Sequence, residues 1–290
     1  MKKAIVIISV ALIIFSLFGC GAKQENIDVV ATTKPVYDFT AYLCNETNIT
    51  VELLITENVS CLHDYTLQVR QMRAIEGADT VILSGAGMEE FLHDALEGAN
   101  NVIDSSQGIS LHCPEHHHED DGHHHESDPH IWLSIGNARK MAENICQGLC
   151  KQYPDSASKI TENLTKLNQE FEKLQAYGEE NLTNLSSRNL ITFHDGFSYF
   201  AEEWNLNILR AVEEEAGSEA SAAELKELIG LIRQHELTAI FIEQNGSASA
   251  AQIIEKETGI SVFTLNMGMS HLNYFETMYH NINTVKEALG

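Results

Sequence analysis

Residues 27–55 read IDVVATTKPVYDFTAYLCNETNITVELLI. A short Val-rich run at Asp28–Ala31 gives way to an amphipathic stretch at Val36–Cys44 and then to a second apolar run at Ile49–Ile55. Short β-branched runs separated by a helical period predict strand, crossover helix and strand, the grammar of a parallel sheet. The same grammar continues outward. Thr80–Ser84 and Asn101–Asp104 are strand-like, with helical spacing at Leu67–Gly77 and Met88–Glu97. The second half repeats it, with strands expected at Asn189–Phe193, Asn207–Val212, Ala239–Ile242 and Ser261–Leu265. Helices are expected there at Phe197–Trp204, Ala220–His235, Ser249–Thr258 and Asn273–Ala288. No residue-level repeat relates the halves. The fold class is α/β: two α/β sandwich lobes, each a mostly parallel four-stranded sheet with flanking helices.

Between the halves the period changes. Ile160, Leu164, Leu167, Phe171 and Leu174 recur at spacings of four and three in a polar background. That is one apolar stripe on a long helix from Ser156 to Asn184, about 40 Å at 1.5 Å per residue, joining the lobes. Five stripe positions favour packing onto the chain's own lobes over a coiled-coil dimer, and a monomer is expected. The expected organisation is a signal peptide over 1–19, an N-terminal lobe over 20–153 with a His-rich loop at 112–127, a linking helix over 154–186 and a C-terminal lobe over 187–290.

The first residues point to export. Lys2 and Lys3 precede an apolar run from Ala4 to Phe18, short for a membrane span and matched to a secretory signal. Leu17-Phe18-Gly19-Cys20 resembles a bacterial lipoprotein box, which predicts cleavage before Cys20 and a lipid on its sulfur; an uncleaved N-terminal anchor is the alternative. Both put the folded part outside the cytoplasm beside a membrane. The whole chain has 18 basic and 42 acidic side chains; without Lys2 and Lys3 the count is 16 against 42, net −26. Such a field repels nucleic acid, which excludes that class of partner, and draws cations. Of six cysteines, Cys20 is assigned to the lipid. The five that remain are an odd number and no disulfide framework. Cys146 and Cys150 lie one helical turn apart and read as packing residues.

The chemistry lies in the histidines. His112, His116, His117, His118, His123, His124 and His125 crowd one acidic stretch that has no Lys or Arg. Imidazole suits zinc, copper and nickel, and carboxylates offset the ion's charge. With almost no apolar residue the stretch is expected to be an accessory loop that concentrates metal, since a tight site needs ligands on rigid elements. Three single histidines meet that need. His63 follows the strand at Ile49–Ile55, His130 leads into Ile131-Trp132-Leu133, and His194 ends the strand at Asn189–Phe193. In open α/β sheets, ligands sit beyond the carboxyl ends of strands.

Five stretches now combine: His63-Asp64-Tyr65, Gly85-Ala86-Gly87-Met88-Glu89, Asp128-Pro129-His130-Ile131-Trp132-Leu133, His194-Asp195-Gly196-Phe197-Ser198-Tyr199-Phe200, and Glu219-Ala220-Ser221-Ala222 followed by Leu225. In order and spacing the chain resembles the zinc/manganese-type substrate-binding lipoproteins of bacterial ABC importers, over nearly all of residues 20–290. The resemblance implies two lobes bridged by one rigid helix, the metal between them, and a membrane permease as partner. It implies His63, His130 and His194 as ligands. Family members usually complete the shell with an acidic residue after the last strand; here the stretch is Thr264-Leu265-Asn266-Met267-Gly268, which puts Asn266, a water or a side chain of the His-rich loop in the fourth position. Three neutral imidazoles favour Zn2+ over Mn2+. An exported zinc hydrolase, with Asp195 or Glu243 as general base, and an adhesin or metal-sequestering surface lipoprotein with no transporter partner are the alternatives from other classes.

Overall fold

The computed structural model of the protein describes residues 27–57, 62, 65–112, 127–213, 221–244 and 248–290. The expected signal segment with Cys20, the ligand candidate His63, Cys61, Cys113 and the histidines at 116–118 and 123–125 lie outside these residues.

The first sheet holds β1 (Val29–Ala31), β2 (Val51–Leu53), β3 (Thr80–Leu83) and β4 (Val102–Asp104), all parallel in the order β2-β1-β3-β4. Its helices are α1 (Lys34–Leu43), α2 (Val69–Gly77), the single turn α3 (His93–Leu96) and α4 (Ile135–Gln152). The long α5 (Ala157–Leu182) follows. The second sheet holds β5 (Asn189–His194), β6 (Asn207–Glu213), β7 (Ala239–Glu243) and β8 (Ser261–Leu265), again all parallel, in the order β6-β5-β7-β8. Around it lie α6 (Ser198–Glu203), α7 (Ala222–Gln234), α8 (Ser249–Thr258) and α9 (Tyr274–Leu289). The two lobes are therefore the same wiring used twice. No helix among the described residues is long and apolar enough to cross a membrane.

One expectation is corrected. The helix expected over Met88–Glu97 is a 3-10 turn at Glu90–Leu92 followed by α3. Gly85, Ala86 and Gly87 all take positive φ (79°, 56° and 86°). That turn carries Glu89 back under the strand, where its carboxylate accepts the amides of Ser84 (2.7 Å) and Gly85 (3.0 Å) and the Thr32 hydroxyl (2.5 Å). Side-chain bonds to local backbone compete with a regular helix, and here they win. Cys146 and Cys150, expected one helical turn apart, lie on the 18-residue α4, capped by Ser134, whose hydroxyl accepts the Asn137 amide at 3.2 Å. The two sulfurs are 3.9 Å apart, and burial pushes the Cys146 thiol up to about 12, as it does for Cys44.

Helix α5 buries Ile160, Leu167, Phe171 and Leu174 of the expected stripe. Farther along, a Cβ on Gly178 would sit 2.1 Å from Cη2 of Trp204, so only glycine lets the indole lie on the helix backbone. One continuous core runs from Val29 to Leu289 through this helix and both lobes; a smaller one lies between the second sheet, α7 and α8. The lobes are also bonded directly. Trp132 Nε1 donates to the Met267 carbonyl (2.7 Å), the Tyr274 hydroxyl donates to the Trp132 carbonyl (3.1 Å), and the Tyr274 amide donates to Asp38 (2.9 Å).

Strand order decides where a ligand can bind. In each sheet successive connections run to opposite sides of one central strand, leaving a crevice at its carboxyl end, between β1 and β3 in one lobe and between β5 and β7 in the other. The first crevice is filled by the protein itself: Thr33 and Ser84 share a hydrogen bond of 2.7 Å and Glu89 lies against Thr32. In the second crevice stand His194, the last residue of β5, and Glu243, the last of β7.

Candidate metal centre

His130 is held from behind. Ile131, Trp132 and Leu133 form a fully buried 3-10 turn that fixes the backbone, and the ring itself is 2 % exposed. Asp128 Oδ1 accepts both the His130 amide (3.0 Å) and its Nδ1–H (2.9 Å). Burial pushes the Asp128 carboxyl up, but the hydrogen bond and charge of His130, with the Ser198 hydroxyl and the His130 amide, outweigh it and leave the pKa lowered. Asp128 is thus an anion that orients the imidazole. With Nδ1 committed, Nε2 carries the lone pair. That Nε2 is buried and has no hydrogen-bond partner among the described residues. A buried nitrogen left so costs about 1–3 kcal/mol and calls for an occupant.

His194 comes from the other lobe and lies near a carboxylate of its own. It is 2 % exposed, and its Nδ1 faces Oε2 of Glu243, itself buried, at 4.0 Å. The two rings, 64 residues apart in sequence, have centroids 5.2 Å apart and stand nearly perpendicular at 87°. Gly196 makes the approach possible: a Cβ there would lie 2.8 Å from His194 Cδ2 and 2.9 Å from His130 Nδ1. Two imidazoles, one hydrogen-bonded to a carboxylate through Nδ1 and the other with a carboxylate 4.0 Å from its Nδ1, meet at the mouth of the second crevice.

Asn266 follows β8 and is buried, and its amide is engaged. Nδ2 donates to Gln244 (2.6 Å) and Ser270 (2.8 Å), Oδ1 accepts the Gly268 amide (2.8 Å), and the backbone on both sides is bonded to the Asn281 side chain. These bonds close the turn from β8 into α9. His112 lies at the edge of the centre, with Nε2 2.6 Å from Glu202 and Nδ1 3.1 Å from Ser198.

The model of the ZnuA family, zinc-uptake complex component A, periplasmic, matches residues 29–288. The chain belongs to this family. Its members are extracytoplasmic metal-binding components of ABC importers and not enzymes, so the hydrolase alternative is set aside. The chain is 28% identical to the zinc-binding lipoprotein AdcA of Streptococcus pneumoniae over 99% of its own length, spanning 61% of that longer protein. It is 28% identical to the high-affinity zinc uptake system protein ZnuA of Bacillus subtilis, covering 92% of this chain and 89% of that one. A crystal structure of ZnuA superposes with a TM-score of 0.81 at 28% identity, over 92% of this chain and 100% of that one.

In sequence Glu243 reads only as a general base, and Ser198 and Gly196 have no separate role. The place of Glu243 comes from strand pairing. It ends a strand register-paired with β5, where Thr192 faces Phe241, so it stands opposite His194.

Proposed function

We propose that the protein captures Zn2+ outside the cell through His63, His130 and His194 and passes it to the membrane permease of an ABC importer. In this reading it acts as a monomer tethered by a lipid on Cys20, as the name of the pneumococcal relative suggests. The convergence of His130 and His194 carries the proposal. With a metal–nitrogen bond of about 2.05 Å and about 1.15 Å from nitrogen to ring centre, two imidazoles on one tetrahedral ion have centroids about 5.2 Å apart. The observed separation is 5.2 Å. Nitrogen donors backed by carboxylates favour zinc; manganese prefers oxygen. Because the Asn266 amide is engaged in the β8–α9 turn, we assign the fourth position to a water or to a side chain of the His-rich stretch over 112–127. That stretch then serves as an accessory collector.

Competition against a chromophoric zinc chelator tests the reading. Replacing His130 or His194 by Ala should weaken zinc binding more than about 100-fold, and acidification through the imidazole range should release the ion. A folded triple variant lacking His63, His130 and His194 that still bound zinc as tightly as the parent would refute it.

A further inference from the structure

We propose that His112, the first histidine of the His-rich stretch, is a positioning residue for the metal centre, acting on His130 through Ser198 and Asp128. This rests on the reading of His130 as a ligand.

The connection is a directed chain of hydrogen bonds. Asp128 Oδ1 accepts His130 Nδ1–H at 2.9 Å, and Asp128 Oδ2 accepts the Ser198 hydroxyl. A serine has one proton, and Ser198 gives it to Asp128. The Ser198 oxygen therefore presents a lone pair to His112 Nδ1, 3.1 Å away, and His112 is the donor of that bond. The direction is then fixed from end to end: His112 donates to Ser198, Ser198 to one oxygen of Asp128, and His130 to the other. A carboxylate held in this way keeps the proton of His130 on Nδ1 and the lone pair on Nε2, which is the form a cation needs.

His112 is built into place for the task. Its ring stacks on Tyr199 at 4.1 Å and 13°. Its amide donates to the Tyr199 hydroxyl (3.0 Å), which donates in turn to the Asp128 carbonyl (3.0 Å). Its own carbonyl accepts the Asp128 amide at 2.8 Å. His112 and Asp128, 16 residues apart, are thus locked to each other and to α6 of the second lobe. The remaining nitrogen, Nε2, is 2.6 Å from the Glu202 carboxylate, so both ring nitrogens face acceptors and the directed chain has a proton on each. With both ring nitrogens engaged, His112 supports the centre from outside, in a different role from the histidines that follow it in sequence.

The test uses the full chain and zinc alone, with four variants and a chelator competition. His112→Phe keeps the stack on Tyr199 and removes both nitrogens. His112→Asn returns an amide donor near the place of Nδ1. Ser198→Ala cuts the next link. His112→Phe and Ser198→Ala should each weaken zinc binding about tenfold, the effect usual for an outer support of a metal ligand. His112→Asn should recover to within about threefold of the parent. The double variant His112→Phe/Ser198→Ala should bind no more weakly than Ser198→Ala alone, because both cut one chain. Unchanged affinity in His112→Phe, or additive losses in the double variant, would overturn the proposal. Additive losses are what a direct ligand role or general packing would give. His130→Ala is the control. If it abolishes binding while His112→Phe does not weaken it, the positioning role alone fails; if His130→Ala binds normally, the ligand assignment fails with it.

Discussion

Gly196→Ala puts the geometry of the centre under direct stress. The added methyl would lie 2.6 Å from Met267 Cε, 2.8 Å from His194 Cδ2 and 2.9 Å from His130 Nδ1. Met267 Cε ends a flexible side chain and swings away at little cost. The rings do not. His130 is bonded to Asp128 through two donors, and His194 terminates a central strand. Contacts of 2.8–2.9 Å must open to about 3.5 Å before repulsion ends, so the rings have to retreat by roughly 0.6 Å each. A site tolerates about 0.5 Å of error before its donors lose a common focus. Zinc affinity should therefore fall by about 10- to 100-fold, some 1.4–2.7 kcal/mol. Overpacking should lower stability by only about 1–3 kcal/mol, leaving the protein folded at room temperature. Chelator competition measures the first effect, and urea unfolding of the metal-free protein the second. A stable Gly196→Ala protein that binds zinc like the parent would mean that the two imidazoles do not share an ion at this spot.

Two further outcomes test the scaffold. Phe171→Ala removes a fully buried ring of α5 that touches Phe39, Tyr274 and Phe275 at centroid distances of 5.7, 5.8 and 5.3 Å; about 3–5 kcal/mol should be lost in urea unfolding, and a loss below about 1.5 would show that α5 does not hold the lobes together. Glu89 is raised to about 7 chiefly by burial, against the hydrogen bonds of Thr32, Ser84 and Gly85, from an ordinary value of 4.5. Between those two values the folded protein holds more protons than the unfolded chain, so stability should fall as pH rises from 4.5 through 7, by on the order of 3 kcal/mol. Glu89→Gln should flatten that slope in urea titrations at several pH values, and an unchanged slope would assign it elsewhere.

The fold was legible wherever period and chemistry agreed. Asp28–Ala31 and Ser261–Leu265 read as strands because apolar β-branched runs this short have few other uses, and the α5 stripe read as a helix because spacings of three and four persist for 15 residues. The helix expected over Met88–Glu97 failed because propensity says nothing of where a carboxylate will find its donors. Glu89 found them in the Ser84 and Gly85 amides, and the positive φ of Ala86 let it turn back. His130 and His194 announced themselves by motif. Glu243 did not, since its place depends on β7 lying beside β5 rather than on any neighbour in sequence. Asn266 shows how much environment adds. Its position after the last strand suggested a ligand, whereas its environment gives the amide to Gln244, Ser270 and Gly268.

The bonds between the lobes bear on how an ion is captured. A hinge opening of the groove would break the Trp132–Met267, Tyr274–Trp132 and Tyr274–Asp38 bonds together. Each break exchanges a protein hydrogen bond for one to water, at about 0.5–1.5 kcal/mol apiece, and opening also exposes apolar side chains of the core that both lobes share. Even a total of about 5 kcal/mol holds the open form below about one molecule in a thousand. Under the proposed function, the ion meets two imidazoles that already stand at the spacing it needs, and little of its binding energy goes into rearranging the protein. Discrimination between ions then cannot come from closure around the right one. It has to come from the donors themselves, which is why the nitrogen-rich character of this centre, and the Asp128 carboxylate that holds His130 in register, weigh more than any motion of the lobes.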